Sequence, residues 1–128
     1  MFELHNDYNE LHGGYCLTRI KAISTSIRGF SYDGSHYSIN EDGLVCGYIG
    51  YWYDGASGPA IDTDNSLEGA CFHDILYALI RIGVIPDTYY YRRKADLVLY
   101  TALRADGMSW LRANAWYVGV RLGGWTAI

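Results

Sequence analysis

The chain has 128 residues, half of them apolar and 19% charged, with 10 Lys and Arg against 14 Asp and Glu for a formal charge of −4. Such a length and apolar share suit a single domain over 1–128 that buries its own core, while the acidic balance lacks the basic excess that phosphate binding needs, so no nucleic-acid partner is expected. Cys16, Cys46 and Cys71 form an odd set without C-x-x-C spacing, which predicts reduced thiols rather than a disulfide framework or a zinc knuckle.

Residues 1–10 are polar and acidic, lacking the basic start and apolar stretch of a signal peptide, and no apolar run reaches the length of a membrane span. No signal peptide and no transmembrane segment are expected. From about 15 to 53 the chain reads as strands and turns. "YCLTRIKAI" is β-branched and partly alternating, and "IRGFSYDGSHYSINEDGLVCGYIGYWY" sets short aromatic and apolar runs between Asp33-Gly34 and Asp42-Gly43 turn signals. A small antiparallel sheet or meander is predicted there. Residues 54–65 lie within "YDGASGPAIDTDNS", a Gly/Asp loop governed by turn chemistry.

Residues 66–124 read as helical. Asn65 with Glu68 resembles a capping box, Cys71, Ile75, Leu76, Leu79 and Ile82 form an apolar stripe, and Gly83 with Pro86 ends the helix. Asp87 or Thr88 can cap a second helix running to Asp106-Gly107, and Ser109 a third running to Gly123-Gly124. Arg92, Arg93 and Lys94 read as a solvated face. Trp110, Trp116, Tyr117 and Trp125 suit a membrane-interface patch or, as their helical spacing favours, core packing against the sheet. The predicted fold class is α+β, with an N-terminal antiparallel β-meander followed by a three-helix C-terminal half.

The stretch "EGACFHDILYALI" places His73 and Asp74 together inside an otherwise apolar helix, with Tyr77 one turn further on. The short 83–87 turn makes the flanking helices antiparallel neighbours. His73 lies ten residues before that turn and Asp96 nine after it, so both should stand roughly 14–15 Å from it. Asp96 is a carboxylate among Ala95, Leu97, Val98 and Leu99, where an unpaired charge is costly. A His73–Asp96 bond would fix the imidazole and leave its other nitrogen as a general base, with Tyr77 on the same helix face able to donate to Asp96. Asp74 points about 100° away, toward a face where a carboxylate and loop carbonyls would make the oxygen set a hard cation prefers.

"CFHDILY" resembles the helix signature of the phospholipase A2 superfamily, in which His-Asp, with Tyr four positions after the His, follows a Gly-rich calcium loop. The longer span 53–124 is similar to a family of small uncharacterised bacteriophage and prophage proteins. The first resemblance implies an antiparallel helical hairpin carrying His73 as the base, Asp96 as its orienting carboxylate and Tyr77 as the supporting hydroxyl. It further implies Ca2+ held by Asp74 with a loop containing Tyr53, Asp54, Gly55 and Gly58, and a phospholipid or other ester as substrate. Departures are the missing paired cysteines, with Gly69 and Ala70 near their places, and Ala56-Ser57 between Gly55 and Gly58. The second resemblance implies a phage virion or host protein as partner, in the host cytoplasm or the virion. A non-catalytic phage structural or host-interaction protein, and a hydrolase of cell-wall or peptide bonds, are the alternative expectations.

Overall fold

The computed structural model describes residues 8–11, 14–53 and 66–123. Among the described residues seven strands come first, β1 Tyr8–Leu11, β2 Gly14–Leu17, β3 Lys21–Ser24, β4 Tyr32–Asp33, β5 Tyr37–Ile39, β6 Leu44–Gly47 and β7 Trp52–Tyr53, and three helices follow, α1 Leu67–Arg81, α2 Tyr89–Ala105 and α3 Trp110–Gly123. The architecture is α+β, and all strand pairing is antiparallel. Two details differ from the expected single meander. The strands begin at Tyr8 rather than near residue 15, and they divide into two sheets, of order β1-β2-β7 and β3-β6-β5-β4.

Turn chemistry places the breaks. Asn40 Oδ1 accepts the backbone N–H groups of Asp42 and Leu44, both at 3.0 Å, and so closes the β5–β6 connection at the Asp42-Gly43 signal. Along β3 the burial alternates, as one solvated face requires. The last residues of β7 join the sheets to the helices: the Tyr53 hydroxyl donates to the Leu67 carbonyl at 2.8 Å, and Lys21 on β3 pairs with Glu68 in the first turn of α1 at 3.1 Å.

Helix α1 is the centre of the core. One side meets β6, where a Cβ at Gly47 would stand 2.8 Å from Leu17 Cδ1 and 3.1 Å from Ile75 Cδ1, so any larger residue would have to displace these side-chain ends. The other side meets α2, where Gly69 lies against Leu99 and Leu103. Covered on two sides, α1 buries Leu67, Ala70, Phe72, Tyr77, Ala78 and Ile80 as well as Cys71, Ile75, Leu76 and Leu79. The predicted stripe was therefore too narrow, and at its end it was wrong: Ile82, past the last turn, is 51% exposed.

The helix ends match their signals. Gly83 at φ 85° stops α1, Thr88 Oγ1 caps α2 by accepting the Tyr91 N–H at 3.3 Å, and Ser109 Oγ accepts the Arg112 N–H at 3.3 Å at the head of α3. Asn65 lies outside the described residues, and Ser66 occupies the N-cap of α1 without a side-chain capping bond. Helix α3 packs on α2. The tryptophans do not share one environment: Trp116 is buried, Trp110 is 62% exposed, and Trp125 lies outside the described residues. Tyr117 meets Tyr100 of α2 edge to face.

Replacing Gly47 by Val should displace the ends of Leu17 and Ile75 and lower stability by about 1–3 kcal/mol, the usual effect of overfilling a packed interior. Urea unfolding of the two proteins measures this directly.

Candidate functional site

The site is assembled around one carboxylate. Asp96 sits two turns into α2 with its side chain 1% exposed, and it receives donors from both of the other helices, α1 and α3. His73 Nε2 of α1 lies 2.7 Å from Asp96 Oδ1, and the Tyr77 hydroxyl, one turn along the same helix, donates to that oxygen at 2.7 Å. Arg121 Nη1 of α3 donates to Asp96 Oδ2, also at 2.7 Å. The equal-height expectation for His73 and Asp96 thus holds in distance. Gly69, earlier in α1, faces Leu99 and Leu103, later in α2, so the two helices run antiparallel.

The electrostatics agree with these roles. Burial first, then the hydrogen bond to Asp96 and its charge, raise the Tyr77 phenol above its usual range, so it remains a proton donor across ordinary pH. At Arg121, burial works against the charge, but the bond to Asp96 and its attraction outweigh this and the pKa rises. The Arg121 guanidinium also lies 4.7 Å over the Tyr89 ring, a cation–π contact that holds it from a second direction. The carboxylate therefore has its counter-charge from Arg121, and the imidazole completes the hydrogen bonding of Oδ1. His73 keeps 14% of its side chain accessible, and its ring lies 4.2 Å from that of Tyr77 between centroids.

Arg121 was not foreseen. Its signal was nonetheless present, because Asp96 lies ten residues before Asp106 and Arg121 twelve after Ser109, which brings them to similar heights across the second helical turn. The charge run beside the site is less solvated than expected: Arg92 pairs with Asp87, while Lys94 reaches Ser26 at 3.0 Å and lies over Tyr90.

Asp74 occupies a different face of α1. Its carboxylate accepts the hydroxyl of Tyr51, the residue that leads into β7. Burial, then the charge and hydrogen bond of Asp74, hold the Tyr51 phenol far above its ordinary range. Burial likewise pushes up the neighbouring Cys71 thiol, with Asp74 and Glu68 adding to it and Lys21 opposing. Tyr53, the other expected member of the calcium set among the described residues, commits its hydroxyl to Leu67. Asp54, Gly55 and Gly58 lie outside the described residues. Among the described residues no group of three or more His, Cys, Asp or Glu is arranged to hold a metal ion. Nor is any helix among them long and apolar enough to cross a membrane.

No known family model, curated protein or solved structure matches the chain. The class defined by fold and site together is an α+β protein with a buried carboxylate and a partly exposed His paired between antiparallel helices.

Two outcomes follow from this geometry. Arg121→Met should lower stability by roughly 2–3 kcal/mol, somewhat less than for a fully buried pair, because it strands the Asp96 carboxylate while the guanidinium itself keeps some water contact. Thermal and urea unfolding read the loss. Tyr51 and Tyr77 have folded-state values raised from 10.0, so their contribution to stability is complete below that pH and is lost as pH rises above it, where the unfolded chain gives up its phenol protons first. Titration at 295 nm should show tyrosines that ionise only on unfolding, and Tyr51→Phe and Tyr77→Phe should each remove one of them.

Proposed function

We propose that the protein is a phospholipase A2-like hydrolase in which His73 activates a water for attack on an ester bond, with phospholipid as the first substrate class. The observation that carries this reading is the 2.7 Å contact of His73 Nε2 with Asp96 Oδ1. With Nε2 occupied by the carboxylate, Nδ1 is the ring atom that takes the water proton, and the carboxylate stabilises the imidazolium that forms. Tyr77 and Arg121 hold the carboxylate in position, so its orientation does not depend on His73. Proton return from the imidazolium to the leaving alkoxide completes the cycle.

The calcium part of the proposal rests on Asp74 with the carbonyls of Tyr53, Asp54, Gly55 and Gly58, and it requires Asp74 to exchange Tyr51 for the ion. Bound there, calcium would polarise the ester carbonyl. Its test is separate from that of the dyad: calorimetric titration of the native protein and Asp74→Asn with calcium.

A second reading, a non-catalytic phage structural or host-interaction protein, is favoured by one observation. The Arg121–Asp96 ion pair is also what a purely architectural buried carboxylate requires. The two readings divide on activity. Under the first, native protein hydrolyses phosphatidylcholine vesicles or short-chain esters, His73→Ala abolishes this, and Asp96→Asn lowers kcat by about 10²–10⁴-fold with the fold kept. Absence of hydrolysis over a panel of phospholipid, simple ester and cell-wall substrates, with and without calcium, would overturn the first reading and favour the second.

A further inference from the structure

Tyrosine is frequent in the chain, 13 residues against three Phe, and the sheets gather five of them into one continuous row. The ring centroids stand 5.8 Å apart for Tyr15–Tyr53, 6.2 Å for Tyr53–Tyr51, 5.7 Å for Tyr51–Tyr37 and 5.8 Å for Tyr37–Tyr32. Each step falls within the roughly 4.5–7 Å of packed aromatic pairs. Tyr15 on β2 and Tyr53 on β7 belong to one sheet, Tyr37 on β5 and Tyr32 on β4 to the other, and Tyr51 is the ring at which the two groups meet. Tyr15, Tyr53 and Tyr51 are buried, whereas Tyr37 and Tyr32 are half-buried, so the row leads from the core to the surface.

Packing alone would be served by Phe, which fills similar space without a hydroxyl to satisfy. The hydroxyls of the two central rings meet unlike acceptors. Tyr53 donates to the Leu67 carbonyl, which is too weak a base to take a proton. Tyr51 donates to the Asp74 carboxylate, which can take the proton outright once the ring loses an electron, because a phenol radical cation is a far stronger acid than a carboxylic acid. Burial, then the charge and hydrogen bond of Asp74, keep the resting Tyr51 phenol protonated, so the proton is in place to move.

We propose that Tyr51 and Asp74 form a one-electron redox site, reached from the surface through Tyr37 and Tyr32, for a diffusible one-electron oxidant such as a peroxyl radical. The oxidant removes one electron from the row, and Tyr51 supplies it as its phenolic proton crosses to Asp74 Oδ2. The products are a neutral Tyr51 phenoxyl radical, a neutral Asp74 acid and a hydroperoxide anion that takes its proton from water. A one-electron reductant such as ascorbate returns the electron, and Asp74 returns the proton to the phenoxyl oxygen. Burial keeps the Tyr51 radical from coupling with a second tyrosyl radical, a protection that the exposed Tyr89 and Tyr90 lack.

The proposal does not rest on the hydrolase reading. Calcium at Asp74 would displace Tyr51, so the test uses calcium-free buffer. Flash-generated tris(bipyridine)ruthenium(III), with a cobalt(III) ammine as sacrificial electron acceptor, oxidises the native protein, and phenoxyl absorption and electron paramagnetic resonance follow the radicals. A long-lived tyrosyl radical is expected beside short-lived surface ones. Tyr51→Phe should remove the long-lived component. Asp74→Asn keeps an acceptor for the hydroxyl but not a base, and should cut the yield by at least about tenfold, the factor that one lost unit of proton affinity gives. Tyr37→Phe should delay the appearance of the radical, and Tyr90→Phe should leave it unchanged. Circular dichroism and melting temperature establish that each variant is folded. A native protein without a long-lived radical overturns the proposal, as does a radical that persists in folded Tyr51→Phe or at full yield in folded Asp74→Asn. A radical that forms without delay in Tyr37→Phe overturns the route from the surface.

Discussion

Everything in the helical half is arranged about a carboxylate that has almost no contact with water. A buried, ionised Asp96 is tolerable only because its oxygens are met by an imidazole, a phenol and a guanidinium. Each donor comes from a side chain whose helix must then sit at one height and one rotation. The carboxylate thus ties α1, α2 and α3 together at one level, adding directional bonds to the apolar contacts of Gly69 with Leu99 and Leu103. Any chemistry by His73 takes advantage of an order that folding already requires.

The sheets serve this arrangement from the far side. Gly47 admits α1 to close contact with β6, and the Lys21–Glu68 pair and Tyr53 bond hold its first turn. His73 and Asp74, adjacent in sequence, are thereby committed to opposite environments, one among helices and one against Tyr51. The separation explains why two ionisable groups coexist in a helix that is buried on most of its surface: each has its own partner, and neither has to share one.

The sequence displayed the helices well because their boundaries rest on local chemistry. Thr88 and Ser109 before the helices, and Gly83 and Gly107 after them, act within a few residues of their own positions. The His73–Asp96 pairing was legible because a short turn converts distance along the chain into height. Long-range choices were harder to read. That β2 would pair with β7 while β3 pairs with β6 depends on contacts formed across twenty or more residues, and no turn residue encodes them. Ile82 was misjudged because periodicity continues past the point where Gly83 ends the helix. The Arg121 pairing depends on a second connection, at 106–109, and on the matching heights of Asp96 and Arg121 to either side of it.

The Tyr53–Leu67 hydrogen bond has a consequence for how this chain can change over time. It joins the residue at the close of β7 to the first residue of α1, so the frame is latched on both sides of residues 54–65. Once such ends are latched, each doubling of the length between them costs only about 0.6 kcal/mol in closure entropy. Changes of length in that interval would therefore cost the position of α1, and with it the Asp96 assembly, little in stability, whereas calcium binding as proposed would not tolerate them, because Asp54, Gly55 and Gly58 come from the same interval.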